Sequence, residues 1–203
     1  MNEKIFMERV MIMRKQEAEL FQDKKVGFFI YLGVEAVMFA VLFATYMIFT
    51  PAGSGPYPSD VFQAEMVLLS SLFLLSSSVT LYVAEKGIQA RKGKKTLLSL
   101  GLTLGLAIVF LGLESYEFYT FVQEGYGLST SVFLSSFYVL VGLHAAHVTF
   151  GIGWMIVLFI HYVRPNVSYS LYKEKQTIFS YYWHFVDCIW VFIILIVYLP
   201  YLV

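Results

Sequence analysis

The chain has 203 residues, of which 59% are hydrophobic and only 14% charged, whereas soluble domains carry about 25% charged residues. A water-soluble fold cannot hide that much apolar surface, and the length allows several membrane crossings of roughly 20 apolar residues each. The 14 basic and 14 acidic residues cancel, so charge balance points neither to nucleic acid nor to an acidic partner.

Residues 1–25 mix charged and apolar side chains without a compact apolar run or a small-residue cleavage site, and read as a cytoplasmic segment rather than a signal peptide. Residues 26–203 read as one membrane domain with predicted spans at 26–49, 61–84, 96–121, 131–163 and 177–203. Each is long enough to cross about 30 Å of hydrocarbon as a helix. They are apolar nearly all round, unlike the helices of a soluble bundle, and lack the period-two alternation of a membrane barrel. The expected fold is therefore all-α, a five-helix membrane bundle.

The first span carries Glu35, about 14 Å from its start at helical rise. The loop at 50–60, with Pro51, Gly53, Gly55, Pro56 and Pro58, has the composition of a tight connector. Ser70, Ser71 and Ser76–Ser78 in the second span, and Gly101, Gly105 and Gly112 in the third, are small residues that let helices approach closely in lipid. Glu114 and Glu117 stand one turn apart toward the end of the third span, where water is expected to reach them. His144 and His147 share a face in the fourth span, and His184 and Asp187 repeat that spacing in the fifth, with Asp187 expected about as deep as Glu35. Tyr116, Tyr119, Tyr181, Tyr182 and Trp183 fit interfacial anchors. The single cysteine, Cys188, excludes a disulfide framework and reads as a small buried packing residue.

The basic residues lie unevenly between the spans. Lys4, Arg9, Arg14, Lys15, Lys24 and Lys25 precede the first; Lys86, Arg91, Lys92, Lys94 and Lys95 follow the second; Arg164, Lys173 and Lys175 follow the fourth. The other connections have none, which predicts a cytoplasmic N-terminus and an external C-terminus.

A titratable group in the bilayer costs about 2.5–3.5 kcal/mol on insertion scales, so each needs a reason. Three readings are open for the acids and histidines. They pair with one another and fix helix registry, they relay protons, or they ligate haem or another metal. Spacing disfavours the last, because His144 and His147 are too close in sequence to be opposite axial ligands. No set has convincing zinc or copper geometry, and soluble-enzyme motifs are missing. No residue is assigned a catalytic or metal-binding role.

The run Tyr182-Trp183-His184-Phe185-Val186-Asp187-Cys188-Ile189-Trp190-Val191-Phe192 resembles the last-helix signature of subunit III of haem-copper oxidases, W-H-F-x-D-x-x-W-x-F. Gly142-Leu143-His144-Ala145-Ala146-His147-Val148 is similar to the G-x-H-x-x-H-V segment of the preceding helix. Glu35 falls in an E-x-x-x-F segment, and Leu113–Phe118 resembles the close of the intervening helix. The four segments occur in family order, and five spans match the short bacterial form of cytochrome c oxidase subunit III rather than the seven-helix form.

The resemblance implies an accessory subunit without its own haem or copper, those centres lying in subunits I and II. It implies packing on subunit I, a small subunit IV in the complex, bound phospholipid, and support of proton uptake and turnover stability, in a bacterial cytoplasmic membrane. Glu35 takes the position of the family's buried carboxylate. Trp183, Trp190 and Gly142 become candidates for a lipid cleft or for helix packing. The alternatives are subunit III of a quinol oxidase or of a nitric oxide reductase, a stand-alone transporter and a membrane cytochrome.

Overall fold

The computed structural model describes residues 2–50, 58–62, 64–164 and 168–202, so Pro51, Gly53, Gly55 and Pro56 of the expected connector lie outside the described residues. Helices run at α1 (Asn2–Phe49), α2 (Pro58–Val61), α3 (Ala64–Gln89), α4 (Gly93–Gln123), α5 (Val132–Val163), α6 (Tyr169–Ile193) and α7 (Leu199–Leu202). A π-helical turn, Ile194–Tyr198, joins α6 to α7. Among the described residues, five helical stretches are long and apolar enough to cross a membrane: Glu19–Phe49, Ala64–Gln89, Gly93–Gln123, Val132–Val163 and Tyr169–Tyr201. The all-α, five-span expectation therefore holds. The fifth helix starts eight residues earlier than the apolar run suggests, because Ser168 caps it by accepting from Leu171 N–H at 3.3 Å.

The chain divides into two compact units, Met1–Val37 and Met38–Val203. The first is helical from Asn2, so the helix passes unbroken through the expected boundary at residue 25. Its surface shows an exposed Lys15–Glu19 pair at 3.9 Å and Lys25 lying 6.0 Å from the Phe29 ring centroid.

In the second unit α3, α4, α5 and α6 close a ring in which each helix packs on the next and α6 returns to α3. The α3–α4 hairpin is the tightest element. Its turn holds Arg91 at φ 52°, with Arg91 N–H donating to Ile88 O and Lys92 N–H to Gly87 O, each at 2.9 Å. The far end of the ring is closed by aromatic rings, with Phe62 4.8 Å from Tyr198 and 5.1 Å from Phe137. The wider π turn accompanies Pro200, which has no N–H to donate back along the helix. Within it the Val197 carbonyl accepts from Tyr46 Oη at 3.3 Å.

Several side chains face differently from the sequence expectation. Tyr182 and Trp183 are not interfacial anchors but core residues, 1% and 0% exposed, because residues 182, 183, 186 and 190 share the inward face of α6. Cys188 is the reverse, exposed on the outer face and not buried. Gly105 and Gly112 touch nothing that a methyl group would reach, and Gly101 only the Phe159 ring at 3.9 Å. The close approaches occur instead at Gly87, against Thr96 across the hairpin, and at Gly151, where a Cβ would stand 2.6 Å from Trp183 Cζ3.

Gly151→Ala must push the enclosed Trp183 indole aside, and overpacking of this kind costs about 1–3 kcal/mol. Gly105→Ala meets no atom within 4 Å. Thermal unfolding in detergent should show a lowered midpoint for Gly151→Ala and an unchanged one for Gly105→Ala; equal midpoints would mean that the α5–α6 contact is loose.

Candidate functional site: a polar seam between the second and fifth spans

The serines of α3 and the aromatic and acidic residues of α6 meet along one seam. Trp190 Nε1 donates to Ser71 Oγ at 3.1 Å, and Trp183 Nε1 donates to Ser77 Oγ at 2.9 Å. The antiparallel course of the two helices brings these pairs together, since Ser71 and Ser77 ascend α3 as Trp190 and Trp183 descend α6. Each serine passes its own proton down its helix, Ser71 to Val67 O and Ser77 to Leu74 O. A hydroxyl both donates and accepts, so one side chain satisfies an indole and leaves no orphan proton.

Beside these pairs, Ser78 Oγ donates to Asp187 Oδ2. His184 Nδ1 lies 3.2 Å from Ser78 Oγ and 4.0 Å from Asp187 Oδ2. Asp187 is buried, whereas the His184 side chain is 47% exposed. Asp187 lies 18 residues past the start of α6 at Tyr169, about 27 Å along the helix at 1.5 Å per residue.

The remaining titratable residues do not join this seam. Glu114 and Glu117 are 2% and 5% exposed, buried among the described residues, and a cavity of about 200 Å³ adjoins Glu117. Both oxygens of Glu114 and Oε1 of Glu117 lack a hydrogen-bond partner. Ser70 stands beside Glu114 but donates to Val67 O, and Glu117 neighbours Tyr138 and Tyr198. His144 is enclosed, stacked on Trp190 with centroids 5.1 Å apart at 24°, and neither ring nitrogen is hydrogen-bonded. His147 Nδ1 sits 2.8 Å from Leu143 O, its ring beside Phe39. His144 and His147 thus occupy different environments despite sharing a helix face. Glu35, half-buried in the first unit, lies one turn from Tyr31, with which it hydrogen-bonds.

Trp183 and Trp190 are wholly surrounded by protein, and of their two expected roles the geometry supports packing. Gly142 is half-buried and faces the Phe118 ring at 4.0 Å. Among the described residues no three His, Cys, Asp or Glu side chains gather closely enough to hold a metal ion. The Trp–Ser pairs escaped the sequence reading: Ser71 and Ser77 stand six residues apart and Trp183 and Trp190 seven, so no common repeat links the two helices in the sequence.

A Trp190→Phe, Ser71→Ala double-mutant cycle should give a coupling of about 0.6 kcal/mol, and no more than about 1.7, as for other interhelical hydrogen bonds in membranes. The readout is unfolding in mixed micelles; additive single effects would mean that the indole contributes by packing alone.

The family model for cytochrome c oxidase subunit III matches residues 5–201. Cytochrome c oxidase subunit 3 of Bacillus sp. (strain PS3) is 42% identical over 180 residues, covering 88% of this chain and 86% of the relative. Cytochrome c oxidase subunit 3 of Bacillus subtilis (strain 168) is 39% identical over 181 residues, with coverage of 88% and 86%. Quinol oxidase subunit 3 of the same organism is 38% identical over 175 residues, with coverage of 86% and 85%. With its five apolar helices, the chain is a multi-pass membrane protein belonging to the cytochrome c oxidase subunit III family, the accessory subunit of haem-copper oxidases.

Proposed function

We propose that the chain is subunit III of a cytochrome c oxidase in a bacterial cytoplasmic membrane, packed on subunit I and assembled with subunit II and a small subunit IV. The family match across residues 5–201 carries this reading. The chain holds no redox centre. Electrons pass through haem and copper in the partner subunits, while this subunit supports proton uptake and turnover stability and binds phospholipid. The basic connections put the N-terminus and the 90–92 turn on the cytoplasmic side. Residues 1–25 form the cytoplasmic segment, and residues 26–203 the membrane domain.

Glu35, in the first unit, is the carboxyl that we assign to proton uptake; the Trp–Ser seam is structural. The preference for cytochrome c as donor rests on the 42% identity to the relative from Bacillus sp. (strain PS3). A quinol donor is the second reading, favoured by the 38% identity to the quinol oxidase relative.

Purification of the tagged chain from its own membranes in mild detergent, followed by an optical spectrum and metal analysis, tests the assignment. Haem and copper are expected in the complex and none on the chain after the subunits are separated. A chain recovered alone and colourless would favour a transporter, and pigment retained on the separated chain a membrane cytochrome. Within an intact complex, a two-copper centre in subunit II supports cytochrome c as donor, and its absence supports quinol.

In that complex Glu35→Gln should leave haem content unchanged while shortening the time over which oxygen consumption is sustained. Continuous oxygen-electrode recording checks this; wild-type persistence of turnover would remove Glu35 from the proton-uptake role.

A further inference from the structure

A cleft of about 270 Å³ opens between the end of α3 and the start of α6, beside the 90–92 turn. Glu85 from α3 and Lys173, Gln176, Thr177, Ser180 and His184 from α6 line it, the α6 residues following one another along the helix toward His184. On α6 these residues recur every three or four positions, forming one polar stripe along a membrane helix. Gln176 and Ser180 are 2% and 3% exposed, yet both amide atoms of Gln176 and the hydroxyl of Ser180 lack a protein partner. Buried polar groups left unpaired by protein are satisfied by water. The cleft is far larger than the roughly 10–15 Å³ that a single water needs.

At the inner end the stripe meets the His184–Ser78–Asp187 contacts. Ser78 has one hydroxyl proton and donates it to Asp187, so the contact with His184 requires Nδ1–H to donate to Ser78 Oγ. This tautomer leaves Nε2 free to accept.

We propose that the α3–α6 cleft is a water-filled proton-access path to Asp187, with His184 and Ser78 as its last two carriers. A proton from cleft water adds to His184 Nε2, Nδ1–H passes to Ser78 Oγ, and the Ser78 proton passes to Asp187 Oδ2. The carboxylate becomes a carboxylic acid, Ser78 regains a proton, and the imidazole is left neutral as the other tautomer. Glu85, Lys173 and Tyr181 are the further titratable groups lining the approach. This path is separate from the role given to Glu35 and does not depend on the electron donor.

The test uses the full chain in its own membranes with Cys188→Ala as background. Cysteines at Thr177→Cys and Ser180→Cys are exposed to a membrane-impermeant methanethiosulfonate, which reacts with the hydrated thiolate. Val79→Cys on the outer face of α3 is the lipid-facing control, and Lys92→Cys marks the membrane side of the 90–92 turn. Residues 177 and 180 should react on the order of tenfold faster than residue 79, and from the same side as residue 92. Rates equal to that of residue 79, or reaction from the opposite side, would overturn the path. The relay is read separately by infrared titration of the carboxyl band missing from Asp187→Asn. Hydrogen–deuterium exchange of that band should slow in His184→Phe. An unchanged exchange rate, or no titrating band, would overturn the role of His184 even if the cleft proves wet.

Discussion

An indole N–H inside hydrocarbon has no water to turn to, and the packing of α6 on α3 follows from that constraint. Trp183 and Trp190 fill the core and supply its largest side chains, but only because Ser77 and Ser71 stand opposite their nitrogens. Serine suits the position twice over. It is small enough for the helices to close and, unlike alanine, it accepts the indole proton while donating its own to its helix backbone. The Trp190 ring in turn supports His144 on one side and meets the Phe110 edge at 4.9 Å, so the α3–α6 contact organises the face that α4 and α5 present.

Much of the architecture was legible in residue type alone. Five long apolar runs imply five helices, because a spanning segment must satisfy its backbone internally. The helix limits were less legible where polar residues continue a helix past the apolar stretch. The first turns of α6, Tyr169 to Gln176, contain Lys173, Glu174 and Lys175, yet are helical because Ser168 caps them. Likewise the helix preceding the first span keeps its hydrogen bonds whether or not its side chains are apolar.

The facing of side chains was the least legible feature, for a physical reason. In a soluble helix the polar side marks the outside. In these spans both sides are apolar, so periodicity alone gives Trp183 no reason to point inward or Cys188 outward. The polar residues supply the missing phase. Asp187 must be enclosed and solvated by protein, which turns residues 183 and 190 toward the core with it and places Cys188 outside. Glycine was misleading for a related reason. A stripe of small residues permits close packing without requiring it, and Gly105 in α4 faces open space while Gly151 receives the Trp183 ring.

The acids and histidines also separate into distinct physical classes once their surroundings are known. Glu114 is enclosed with both oxygens unpaired, whereas Asp187 is held by Ser78 and adjoins His184, which is half exposed. An enclosed group changes its proton only when the fold opens. A group joined to the surface by hydroxyl, imidazole and cleft can exchange its proton while the packing stays intact. The two tryptophan–serine pairs make that difference possible, because they lock α6 against α3 on the inner side of the seam and leave the outer side open.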